Sequence, residues 1–107
     1  MTTFDKREEA FEKKFAIDAE QKFKAGARRN KLLGLWAADR LGITGDAAGA
    51  YAKEVISAEF DGTGDTGVVR KVMGDLGARG VALGEAELLA KMTELMAEAV
   101  KQVKAGV

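Results

Sequence analysis

Apolar residues recur along this 107-residue chain at intervals of three and four, the spacing of helices that each bury one face. The last third shows it most plainly: Leu88, Met92, Leu95, Ala99 and Val103 form a stripe that predicts a helix from about Glu85 to Lys104. Tyr51, Ala52, Val55, Ile56 and Phe60 predict a helix from about Asp46 to Phe60, and Val69, Val72, Met73 and Leu76 another from about Thr66 to Ala78. Ahead of these, Phe4, Phe11, Phe15 and Phe23 share one helical face with Ala19, and Leu32, Leu33, Leu35, Trp36 and Leu41 follow. The pattern predicts one long first helix from about residue 4 to Leu41, capped by Thr2 or Thr3, with Gly26 and Gly34 as its weak points.

Glycine-rich clusters at 42–45, 61–67 and 77–84 separate these segments, and the chain contains no proline. The expectation is all-α: a four-helix bundle over residues 20–107, preceded by a mobile, partly helical N-terminal segment, residues 1–19. That segment is surplus to the bundle, and an isolated helix of its length is marginal in water. Its aromatic stripe on a charged background therefore reads as a surface that orders on a partner, a helix laid into a groove. On this reading Phe23 belongs to the bundle, whereas Phe4, Phe11 and Phe15 lie beyond it. Asn30, the only asparagine, continues the stripe and reads as a polar residue that fixes register.

Charge and composition narrow the chemistry. Seventeen basic residues balance seventeen acidic ones, so nothing draws the chain as a whole to nucleic acid or an anionic membrane. The longest apolar run is far short of the roughly 20 residues that span a bilayer, and the N-terminus lacks the apolar core of a secretory signal. Histidine and cysteine are absent, and the single serine, Ser57, sits mid-helix without a base to activate it. The acidic pairs are those any solvated helix face carries, so we expect no enzyme, no cofactor and no metal centre. The absence of cysteine fits the cytoplasm.

Two features suggest an alternative. Gly62 to Gly67 matches G-x-G-x-x-G ahead of a helix, and residues 21–31 carry Lys22, Lys24, Arg28, Arg29 and Lys31 without an acid. Gly62, Gly64 and Gly67 with Arg28 and Arg29 could contact a nucleotide, making the chain a nucleotide- or small-ligand-sensing module. Against this, a helix rather than a strand precedes the glycines, and Asp61 and Asp65 would repel phosphate. A helix connection with Asp65 or Thr66 as N-cap is the simpler reading. The spacing Asp61-x-Thr63-x-Asp65 lacks the turn glycine and the final glutamate of a calcium loop.

The run EQKFKAGARRNKLLGLWAA at residues 20–38, followed by DAAGAYA from Asp46, resembles the zeta subunit family, bacterial inhibitors of the F-type ATP synthase. The similarity extends to the opening TTFDKREEAFEKKFAIDAE, to Phe60-Asp61 and to the Arg70-Lys71 pair. The resemblance implies a four-helix bundle whose N-terminal segment turns helical, wedges into the catalytic head between catalytic-interface and rotor subunits, and blocks ATP hydrolysis. Carried over by position, the partner-binding residues are Thr3, Phe4, Lys6, Arg7, Phe11, Lys13, Lys14 and Phe15. It further implies a chain that is monomeric when free, cytoplasmic, and peripheral to the inner membrane only through its partner. Members of the family more often carry an acid where this chain has Gly26, which points to a hinge there.

Overall fold

The computed structural model describes residues 14–60 and 64–107. Four helices are present: α1 (Ala19–Leu41), α2 (Asp46–Ala58), α3 (Asp65–Ala78) and α4 (Glu85–Ala105), with no strand among the described residues. The all-α four-helix architecture expected from the periodicity is the one observed.

Helix α1 is the hub, packing against each of the other three. Its burial therefore extends around two sides, and small residues carry much of it: Ala25, Gly34, Ala37 and Ala38 are buried together with Leu33 and Leu41. The main core joins Leu33, Ala37 and Leu41 to Tyr51 and Val55 of α2, Val68, Val72 and Leu76 of α3, and Leu88 and Met92 of α4. A second, smaller cluster lies at the other end of α1, where Ile17 and Ala25 meet Ala99 and Val100. In α3 the buried stripe runs through Val68, Val72 and Leu76, so Val69 and Met73 of the expected stripe lie on its half-buried flank.

The expected single first helix is instead broken. Ala16 adopts a left-handed backbone with φ 52°, and Asp18 starts α1 afresh. The Asp18 carboxylate accepts from the Gln21 amide at 2.8 Å and the Gln21 side-chain oxygen accepts from the Asp18 amide at 3.2 Å, a reciprocal capping box. The cap satisfies amides that would otherwise be orphaned, which makes a fresh start here favourable. Gly26, the expected hinge, lies within uninterrupted helix.

Gly34 has a different role from a weak point. A Cβ there would fall 2.5 Å from Cα and 3.0 Å from Cβ of Ala52, so the absent side chain lets the α1 and α2 backbones approach. Trp36 spans to α4 with Arg40 over its ring at 4.9 Å and Lys91 at 5.7 Å. At the far end Arg79 donates to the Leu41 carbonyl at 3.1 Å, satisfying an orphan acceptor at the α1 terminus.

A polar clamp joins α2 to α3. The Tyr51 hydroxyl donates to Asp75 at 2.7 Å, and Lys71 donates to Asp75 at 3.1 Å and to Glu54 at 3.2 Å. Burial raises the Tyr51 pKa above its ordinary value, helped by the hydrogen bond to Asp75 and by the charges of Asp75 and Glu54. For Lys71 burial is the largest single influence and acts downward, but the hydrogen bonds and charges of Asp75 and Glu54 together outweigh it and raise the pKa.

Two predictions follow from the packing and the clamp. Gly34→Ala should destabilise the fold by about 1 to 3 kcal/mol despite better helix propensity, because the clash is with backbone. Gly26→Ala, with open space at its Cβ, should stabilise it by about 0.5 to 1 kcal/mol; thermal melts of the two variants give opposite signs. As to pH, both raised pKa values mean that the folded state holds these protons more tightly than the unfolded chain. The clamp's contribution is therefore complete below about pH 10 and lost as pH rises beyond it. Denaturant midpoints followed by circular dichroism should fall above about pH 10, and Tyr51→Phe should blunt that fall.

Candidate partner-binding surface

Of the residues expected to bind a partner, Thr3, Phe4, Lys6, Arg7, Phe11 and Lys13 lie outside the described residues, as do Gly62 and the other residues of 61–63. Lys14 and Phe15 are described, and they stand at the joint before α1. Phe15 is half-buried and packs against the second cluster, whose member Ile17 is only 7% exposed. The Lys14 ammonium lies 5.6 Å from the centroid of the Phe15 ring. The chain is thus anchored to the bundle from Phe15 onward.

Phe23 reverses the expectation. It is 66% exposed, whereas Phe15, expected to project free, is the ring that packs. The break at Ala16 explains the exchange, because Phe15 and Phe23 do not share one continuous helix and the register between them is lost at the joint.

Phe23 stands beside an open groove of about 800 Å³ between α1, α4 and the α2–α3 connection. Lys14 and Phe15 line it from the turn before α1, Ala19, Lys22, Phe23, Gly26 and Arg29 from α1 at helical spacing, and Leu89, Met92, Thr93 and Met96 from α4. Phe60 also lines it and is 64% exposed, and Leu89 is 47% exposed. Large apolar side chains gathered on one surface mark an interaction site rather than scattered exposure. Sequence reasoning assigned Phe60 to a buried helical face, yet α2 ends at Ala58, so the ring falls beyond the turn that would have buried it. Its position against a glycine-rich run was the available signal.

One side of the groove rests on an ion pair between the buried Arg29 and the exposed carboxylate of Asp65. Arg29, only 5% exposed, donates to Asp65 from two nitrogens at 2.7 and 3.2 Å and to the Asn30 side-chain oxygen at 2.8 and 3.0 Å. Asn30, fully buried, donates to Glu59 at 3.0 Å. Asn30 thus holds the structural position expected of it, and Arg29 is committed to the fold. Asp65 is the first residue of α3, not its cap: Gly64 is the N-cap, at φ 58° and ψ −131°, a conformation open to glycine, and the Asp65 carboxylate turns to Arg29.

Of the residues grouped as a nucleotide contact, the described ones, Gly64, Gly67, Arg28 and Arg29, are spent or dispersed by this arrangement. Arg28 donates to Gln102 at 3.3 Å and to the Val107 carbonyl, away from the groove, and Gly67 is buried in α3. Lys24 pairs with Glu20 at 3.3 Å and Lys31 is exposed, so the basic run spreads over several faces of α1. Among the described residues no cluster of carboxylates suits a metal ion, and no helix is long and apolar enough to cross a membrane. Ser57 is exposed on α2.

A small helical body with an apolar groove and every buried polar side chain among the described residues satisfied by its neighbours has the character of a binding protein. The family model described as ATPase inhibitor subunit zeta matches residues 1–102, and the chain belongs to that family. A structure solved by solution NMR is similar to it at 50% sequence identity and a TM-score of 0.70, over 80% of this chain and 98% of the other. Comparison with curated proteins yields no match.

The ion pair supplies a test of its own. Asp65→Asn leaves part of the Arg29 charge unmatched in a buried position and should cost about 1 to 3 kcal/mol in denaturant unfolding. Hydrogen exchange should lose protection first at the amides opening α3.

Proposed function

We propose that the chain inhibits ATP hydrolysis by the F-type ATP synthase, with residues 1–19 as the inhibitory segment and the helical body as the support that orients it. The observation that carries this reading is family membership over residues 1–102, which takes in the N-terminal segment as well as the body. The joint at Ala16–Asp18 supports it, since a left-handed residue followed by a capping box separates what precedes from α1. Thr3, Phe4, Lys6, Arg7, Phe11, Lys13, Lys14 and Phe15 are the residues of the segment proposed to meet the catalytic head, between its catalytic-interface and rotor subunits. The aromatic rings would bury apolar area as the segment becomes helical there, and the cations would meet carboxylates of the head. Inhibition here is steric, requiring no catalytic group of the chain's own. Its place is at the cytoplasmic face of the membrane, held by the enzyme alone.

Packing of Phe15 and Ile17 decides where the segment can be cut for a clean test. A chain lacking residues 1–13 retains Phe15, Ile17 and the Asp18 cap, so it should melt within a few degrees of the full chain while inhibition of ATP hydrolysis is lost. Phe4→Ala with Phe11→Ala should weaken inhibition at least tenfold, about 1.4 kcal/mol or more, with an unchanged melting transition. Equal inhibition by the full and shortened chains would sink the mechanism.

A further inference from the structure

We propose that the face shared by α2 and α3 is a contact surface for a carboxylate-bearing protein partner, recognised by Arg70 and Lys53. The partner is an acidic stretch of the catalytic head, an assignment that rests on the function proposed above.

The arginines single out this face. Arg28 donates to Gln102, Arg29 pairs with Asp65, Arg40 lies over the Trp36 ring and Arg79 donates to the Leu41 carbonyl. Arg70, exposed on α3, is the one arginine among the described residues that engages no other group. Its neighbour in sequence is spent, since Lys71 donates to Asp75 and Glu54 in the clamp. Arginine is the cation that pairs best with a planar carboxylate, through two parallel N–H groups, and it is enriched where partners bind.

Placement explains why Arg70 stands free. A cation on a helix finds its carboxylate three or four residues away, as Lys24 does with Glu20 and Lys91 with Glu94. The same positions around Arg70 hold Thr66, Gly67, Met73 and Gly74, and around Lys53 they hold Gly49, Ala50, Ile56 and Ser57. No acid stands at any of them. Glu54, next to Lys53 in sequence, is taken by Lys71 at 3.2 Å, so the exposed Lys53 is also unpaired among the described residues.

Arg70 and Lys53 line one open groove of about 550 Å³ between α2 and α3. Glu54 and Lys71 line it too but pair with each other, which leaves the field over the groove positive and complementary to an acidic partner. The Cβ positions of Gly49 and Gly74, one turn from Lys53 and Arg70, have no atom within 4 Å, so a partner's backbone can come close beside either cation. Cations from two helices flanking an exposed groove suit an extended acidic segment; a small anion would want an enclosed site.

The test follows association of the full chain with the purified catalytic head on a biosensor, alongside inhibition of its ATP hydrolysis, at low and high salt. Arg70→Glu with Lys53→Glu should slow association at least about tenfold at low ionic strength, and the deficit should shrink as salt screens it. Neither side chain has a partner within the described fold, so the melting transition should stay put. Reversing two exposed cations of α4, Lys101→Glu with Lys104→Glu, should slow association far less. Equal slowing by the two pairs overturns the assignment in favour of net charge alone. No slowing by the Arg70 and Lys53 pair, with wild-type inhibition intact, overturns this surface and leaves the inhibitory segment standing. Saturable shifts of the Ser57 and Arg70 resonances with inorganic phosphate, without slowing in the variant, give the groove to a small oxyanion and overturn it likewise. A wild-type chain that neither binds nor inhibits removes the function proposed above, and this surface with it.

Discussion

A guanidinium buried to 5% exposure cannot be left unmatched, and the arrangement around Arg29 organises this molecule. Its donors reach Asp65 at the start of α3 and Asn30 on α1, and Asn30 in turn reaches Glu59 just after α2. Three elements are thereby brought to one point. A purely apolar contact could slide by a turn at small cost, whereas a bidentate Arg–carboxylate pair with a buried amide beside it defines one register. The placement of Phe60, next to Glu59 and on the groove, follows from that register.

The opposite requirement governs the contact of α1 with α2. There the backbones approach so closely at Gly34 and Ala52 that no side chain fits between them. Polar specificity at one point and bare backbone contact at another leave α1 with buried surface on two sides. Among the described residues, no further helix covers Phe23 near its N-terminal end. Phe23 and the α4 residue Leu89 remain exposed because the elements that could cover them are committed elsewhere, α2 and α3 being held by the Arg29 network and the Tyr51–Asp75–Lys71 clamp.

Helix number, the bounds of α3 and α4 and most of the core are legible in the sequence, because periodicity reports directly on which face is buried and the glycine clusters mark the connections. The α4 stripe through Leu88, Met92 and Ala99 is the clearest instance. The break at Ala16 was not legible from hydrophobicity, since Phe15 and Phe23 keep an acceptable helical spacing across it. The capping signal Asp18-x-x-Gln21 was present in the sequence, and it outweighed the continuity of the stripe. Arg29 was read as part of a basic run because charge is normally solvated; its three partners, Asn30 apart, are about thirty residues or more away and only the fold brings them together. The exposure of Phe60 has a related reason: two residues of helix length decide whether its ring is buried, and the apolar spacing does not mark where α2 stops.

The anchoring of Phe15 and Ile17 bears on how a segment of this kind can act efficiently. A helix that must order on its target loses conformational freedom for every residue fixed. If the chain were free up to Ala19, that loss would include the joint, and the segment's direction would be unconstrained by the body. Here Ile17 is buried, Phe15 is packed and Asp18 caps α1, so the body already fixes the base of the segment.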